Sequence, residues 1–129
     1  MVEGGVLVAA DRELDTILGK LKNCWAVRQT IIVEGAIFEV GDFTLRIANL
    51  LLGQAYKGLL LEIEYGPATA PNSALGPIQN FLQAITPSTA QLSYETTYDY
   101  RSVGLSDTDF SAAHTGYQYM SFLKREGLL

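Results

Sequence analysis

The chain holds one cysteine, Cys24, and one histidine, His114. A lone cysteine excludes an intrachain disulfide and fits a reducing compartment, cytosol or nucleus. A structural zinc site takes three or four Cys and His ligands, so this chain alone cannot build one. A Ser-His-Asp triad would have to use His114, and no serine sits in a nucleophile elbow. His114 therefore reads as a surface or boundary residue beside a C-terminal helix, and Cys24 as a small hydrophobe ending the first helix. Long apolar runs are also missing. Stretches such as 50–52 and 59–61 fall far short of the roughly 20 residues that cross a bilayer. The opening Met-Val-Glu-Gly-Gly has no basic segment ahead of an apolar one, so no signal peptide is expected. No P-loop or dinucleotide fingerprint occurs, and glycines such as Gly4-Gly5 read as turn residues. Basic residues number 9 against 14 acidic ones, a net charge of −5. Such a surface repels phosphate backbones, which argues against direct nucleic-acid binding.

Apolar residues make up 48% of the 129, enough for one domain over residues 1–129 with a modest core. Val6 to Ala10 reads as a short strand. Leu14, Ile17, Leu18 and Leu21 then recur at helical spacing behind Asp11, a good N-cap. From Trp25 the period becomes two. Breaks at Gly35, Gly41-Asp42 and Gly53, with "QAYKG" as a turn, predict about four antiparallel strands between residues 25 and 65. Ser73 is placed to cap a helix carrying Ile78, Phe81, Leu82 and Ile85, with Pro77 in its first turn. "LSYETTYDY" alternates and suits an edge strand or an extended loop. A last helix carries Tyr117, Met120, Phe122 and Leu123, with Lys124 and Arg125 in its final turn and Gly127 just past it. The fold class expected is α+β: an antiparallel meander forming a barrel-like sheet, closed or incomplete, with packed helices.

One motif invites chemistry. In "GLLLEIEYGP", Glu62 and Glu64 stand two apart on a strand and so share a face. Paired carboxylates inside a barrel can hold Mg²⁺ or Mn²⁺ against a phosphate. The pattern resembles part of the signature of the triphosphate tunnel metalloenzymes, in which a lysine follows two residues on; here that place is Gly66. Arg28, Arg46 and Lys57 are the basic residues that strands could bring near. The opposing reading makes Glu62 and Glu64, like Glu34 and Glu39, the wet side of a half-buried sheet. It needs nothing beyond alternation.

Over a longer span the chain resembles the subunit 20 family of the Mediator complex, the family related to the TATA-binding protein. The first helix matches through Asp11, Leu14, Asp15, Ile17, Lys20, Leu21 and Lys22. The strand ending Glu-x-Glu-Tyr-Gly-Pro matches through Glu62 to Pro67, and the terminal Gln-Tyr-Met helix through Gln118, Tyr119 and Met120. The resemblance implies a barrel-like sheet with helices and a non-catalytic, nuclear role without cofactor or metal. It implies a heterodimer with Mediator subunit 18, docked on the head module through subunit 8, and relay of contacts to RNA polymerase II. It also implies a further N-terminal section before the segment matched by Val6, which this chain lacks. The surface expected to meet a partner is Tyr94, Tyr98 and Tyr100 with Tyr117 of the last helix, since tyrosine buries area and keeps a polar tip. Glu95, Asp99, Asp107 and Asp109 read as a solvated acidic face.

Overall fold

Leucine and isoleucine at helical spacing form α1, Glu13–Lys20, one residue later than Asp11 predicts. Arg12 takes the N-cap position, while the Asp11 carbonyl accepts the Leu14 N–H at 3.0 Å. The computed structural model describes residues 10–21, 24 and 26–129. The strand expected over 6–10 falls outside these residues except for Ala10, and Trp25 lies outside them as well. The apolar stripe of α1 stays largely uncovered, with Leu14, Ile17 and Leu21 all exposed. Cys24 is exposed, so it does not act as the small core residue that its place after α1 suggests.

Among the described residues three strands replace the four or so expected. They are β1, Ile31–Val40, β2, Phe43–Leu52, and β3, Ala55–Tyr65, in an open antiparallel sheet of order β1-β2-β3. Gly35 does not end a strand: it lies inside β1, in register with Ala48. Both hairpins turn on two residues, Gly41-Asp42 and Gly53-Gln54, with φ of 59° and 60° at the glycines. Glycine alone takes that conformation without steric cost, and its place first in the pair suits the twist of a hairpin. "QAYKG" is therefore mostly strand. Its irregularity is a β-bulge: Leu51 pairs with Tyr56 and Leu50 with Gly58, which leaves Lys57 unpaired.

After β3 the chain turns through "GPATAPN" into α2, Leu75–Ile85. Ser73 does not cap it. The Ser73 hydroxyl donates to the Ala70 carbonyl at 2.8 Å, and Ala74 occupies the cap position. Pro77 is the third helical residue, where no intrahelical N–H bond is lost. The tyrosine-bearing stretch is an extended loop without a ladder, ending in a single 3-10 turn at Arg101–Val103. α3, Ala112–Arg125, closes in a Schellman motif. The Leu128 N–H reaches the Leu123 carbonyl at 2.8 Å, and the Gly127 N–H reaches that of Lys124 at 3.1 Å, with Gly127 at φ 69°.

The two helices meet opposite faces of the sheet. Cross-strand partners share a face, so Phe43, Leu45 and Ile63 line one side with Tyr65. α2 packs there, its Phe81 stacked on Phe43 at 4.3 Å. Arg46, Ala48, Leu50, Leu60 and Glu62 line the other side, and α3 reaches it through Tyr119. The core is small: Leu45, Leu50, Leu60, Tyr100, Val103 and Leu123, with His114 as the buried polar residue. These residues come from β2, β3, the 3-10 turn and α3, while β1 is exposed over nine of its ten residues.

Candidate functional site

The register of β2 on β3 sets Arg46 directly opposite Glu62. Arg46 Nη1 donates to Glu62 Oε1 at 2.5 Å and to Glu64 Oε2 at 3.1 Å. Tyr119 on α3 donates its hydroxyl to the second oxygen of Glu62. Two carboxylates on one strand face are thus drawn together by a cation, and that cation is an arginine. The side chain of Glu62 is 24% exposed and that of Glu64 58%, so only Glu64 fits the wet-side reading. Glu34 and Glu39 are exposed as well, but they lie five apart on β1 and so on opposite faces, and alternation does not account for both. Among the described residues no three acidic, His or Cys side chains converge as a metal would require. Lys57, the unpaired bulge residue, is exposed and makes no ion pair with either glutamate.

The cluster shifts its own titrations. Burial first, then the bond to Glu62, pushes the Tyr119 phenol far above its ordinary pKa. The hydrogen bond that Arg46 donates to Glu64 leads the causes that raise the Arg46 pKa, with partial desolvation opposing and the charge of Glu62 adding. A tyrosine with a raised folded pKa contributes stability that is whole below its unfolded value near 10 and is lost as pH rises toward the folded one. Unfolding measured by denaturant from pH 8 to 11.5 should therefore show stability falling above about pH 10. Tyr119→Phe should flatten that fall and cost about 1–2 kcal/mol at pH 7 through the lost charged hydrogen bond. An unchanged slope above pH 10 would remove the Tyr119–Glu62 bond from the account.

The expected tyrosine surface splits. Tyr98, Tyr100 and Tyr117 come together, with ring centroids 5.7 Å apart for Tyr98–Tyr100, 6.2 Å for Tyr98–Tyr117 and 5.9 Å for Tyr100–Tyr117. Tyr100 is only 5% exposed and its hydroxyl accepts from Gln118 Nε2 at 2.8 Å. Tyr94 stands apart from the cluster, 57% exposed. Burial leads the causes that raise the pKa of both Tyr98 and Tyr100. With β3, α2 and α3 this segment encloses a cleft of about 710 Å³, lined by Tyr94, Tyr98, Leu82 and Phe122 among others. Glu95, Asp99 and Asp109 are exposed, as a solvated face requires, and the stretch also has partners at the surface. Arg125 meets Glu95 at 3.4 Å, Arg101 pairs with Asp107, and Asp99 Oδ1 accepts the Ser102 N–H at 3.1 Å.

His114 corrects the sequence reading most sharply. It is the third residue of α3 and 2% exposed, held between the rings of Tyr100 at 4.9 Å and Phe110 at 5.1 Å. Its Nδ1 accepts the Ser111 N–H at 3.0 Å, so the hydrogen sits on Nε2 and is donated to the Ser106 carbonyl at 2.7 Å. The ring caps the helix and ties the preceding loop to it, which moves it from the surface to the interior. A sequence signal existed: Ser111 three residues ahead of a side chain able to accept, the spacing of a capping box. Tyr119 was missed as the partner of Glu62 because nothing local in the sequence points α3 at β3.

The site is an ion-paired, hydrogen-bonded junction between a sheet and a helix. With the open meander it defines an α+β domain in which the acidic pair meets β2 through Arg46 and α3 through Tyr119. The family described as "TATA-binding related factor (TRF) of subunit 20 of Mediator complex" matches residues 1–124, and the chain belongs to it. Among its relatives is the Schizosaccharomyces pombe "Mediator of RNA polymerase II transcription subunit 20", 35% identical over 80 residues, 62% of this chain and 41% of that protein. The Anopheles gambiae protein of the same name is 27% identical over 97 residues, 74% of this chain and 44% of its own length. The Mus musculus one is 26% identical over 127 residues, 97% of this chain and 58% of its own length. The chain thus spans roughly half the length of these curated relatives.

Proposed function

We propose that this chain acts as a non-catalytic scaffold or adaptor subunit in the head module of Mediator, in RNA polymerase II transcription in the nucleus. Its partner in this reading is Mediator subunit 18, bound as a heterodimer, with subunit 8 linking the pair to the rest of the module. The observation that carries the reading is the family match across residues 1–124. The engagement of Glu62 and Glu64 by Arg46 and Tyr119 agrees with it, because it gives the pair a structural role between β2, β3 and α3. Tyr94 and Tyr98, on the wall of the cleft, are the proposed contacts, supported from behind by Tyr100 and Tyr117.

Co-expression with Mediator subunit 18, followed by light scattering of the purified species, tests the proposal. The expected result is a one-to-one complex that Tyr94→Ala weakens without lowering the stability of the isolated chain. A monomer that ignores subunit 18 sinks the reading.

A further inference from the structure

We infer that Arg125 is a positioning residue for the proposed contact Tyr94: from the end of α3 its guanidinium pins the extended segment 91–96 that carries the tyrosine. The pin stands on its own geometry, and its use in docking rests on the reading of Tyr94 and Tyr98 as partner contacts.

The segment has no ladder to hold it. From 91 to 98 its backbone makes no hydrogen bond among the described residues. The far end is anchored by Tyr98, whose ring packs on Tyr100 and Tyr117. Ser93 and Glu95 are two apart and so share one side of an extended chain. Both meet the end of α3. Arg125 Nη2 donates to the Ser93 hydroxyl at 3.0 Å, Nη1 to Glu95 at 3.4 Å and Nε to Glu126 at 3.2 Å. The Ser93 hydroxyl in turn donates to the same oxygen of Glu126 at 2.7 Å. Tyr94 lies between the two pinned residues and is itself exposed.

Arginine suits this place because its planar fork offers a different nitrogen to each of three partners. The Phe122 ring lies 5.4 Å beneath the guanidinium and fixes its plane. The support is firm, since α3 ends in the Schellman motif and the Leu128 carbonyl accepts Gln29 Nε2 at 2.6 Å. The paired side chains are each about one-third exposed, so every bond is weak singly, and their sharing of one guanidinium joins them into a network. The Ser93 hydroxyl, ahead of Arg125, holds the Glu126 carboxyl below its ordinary pKa. Ordering a loose segment at the moment of docking costs affinity, and the pin removes that cost beforehand.

Limited digestion of the full chain by chymotrypsin is the test, because cleavage after Tyr94 reports how often the segment lifts from α3. Mass spectrometry identifies the bond cut. Arg125→Gln should speed that cleavage about fivefold and Glu126→Gln about twofold, without a matching change in thermal unfolding. Both changes lie far from the cut in sequence and leave the protease's own recognition untouched. Lys124→Gln, exposed beside the pin, should leave the rate as it is. Arg125→Lys should recover less than half of the lost protection, since an ammonium cannot face three partners in one plane. A rate unmoved by Arg125→Gln, a rise that only follows lost thermal stability, or full recovery by Arg125→Lys overturns the pin. Should Arg125→Gln fail to fold, Glu126→Gln decides by the same criterion. Titration with subunit 18 then separates the two readings. Arg125→Gln should bind about fivefold more weakly. Equal binding beside faster cleavage overturns the positioning role. If no form of the chain binds subunit 18, the choice of partner falls, and cleavage alone decides the pin.

Discussion

His114→Ala is expected to destabilise the chain by about 3 kcal/mol, among the largest losses any single side-chain truncation should cause here. Three effects add at this site. The ring fills a position that is 2% exposed between Tyr100 and Phe110, and alanine leaves that space empty. The Ser106 carbonyl loses the donor that satisfied it. The Ser111 N–H loses its acceptor at the start of α3, where no backbone carbonyl can replace it. Urea unfolding followed by far-ultraviolet circular dichroism checks the loss. His114→Asn separates the contributions, since its carbonyl oxygen can accept from Ser111 while the reach to Ser106 is lost. It should recover part of the stability and leave a deficit. If His114→Ala costs under 1 kcal/mol, the ring is not the post between loop and helix described above.

Gly35→Ala is the second. A methyl group on Gly35 would lie 1.9 Å from the Ile47 carbonyl oxygen and 2.4 Å from the Ala48 Cα, both backbone atoms of the central strand. No side-chain rotamer relieves such a contact, so β1 has to move off β2 or twist. The loss should reach about 2–3 kcal/mol, large for the addition of one methyl. Ala36→Ser, one residue along on an exposed strand, should stay within about 0.5 kcal/mol and serves as the control. Hydrogen exchange should locate the damage, with amides of the β1–β2 ladder losing protection before those of β2–β3. Equal losses at both ladders would mean that Gly35 is not where the two backbones approach.

The two substitutions differ in what they say about reading a sequence. A glycine inside an alternating apolar run signals either a break or a close approach of backbones. The choice between them at Gly35 depends on the strand across from it, which lies more than ten residues away. Counting it as a break gave about four strands where the described residues hold three. His114 was likewise judged from its lack of neighbours capable of catalysis, whereas its place is set by two aromatic rings on other segments.

By itself the sequence determined the features that local chemistry decides. Helical spacing set α1, α2 and α3. Glycine at the first of two turn residues set both hairpins, and Gly127 set the end of α3. Alternation put Glu62 and Glu64 on one face. Tertiary structure decided what those glutamates meet. From the turn at Gly53-Gln54, unbroken pairing would carry Leu52 opposite Ala55 along to Arg46 opposite Leu61, on the wrong face for an ion pair. The bulge at Lys57 shifts the register by one residue and brings Arg46 opposite Glu62. α3, arriving from 57 residues away in the chain, adds Tyr119. A one-residue slip and a distant helix made an apparent metal site into a structural junction, because strand register and helix docking are properties of the packed molecule.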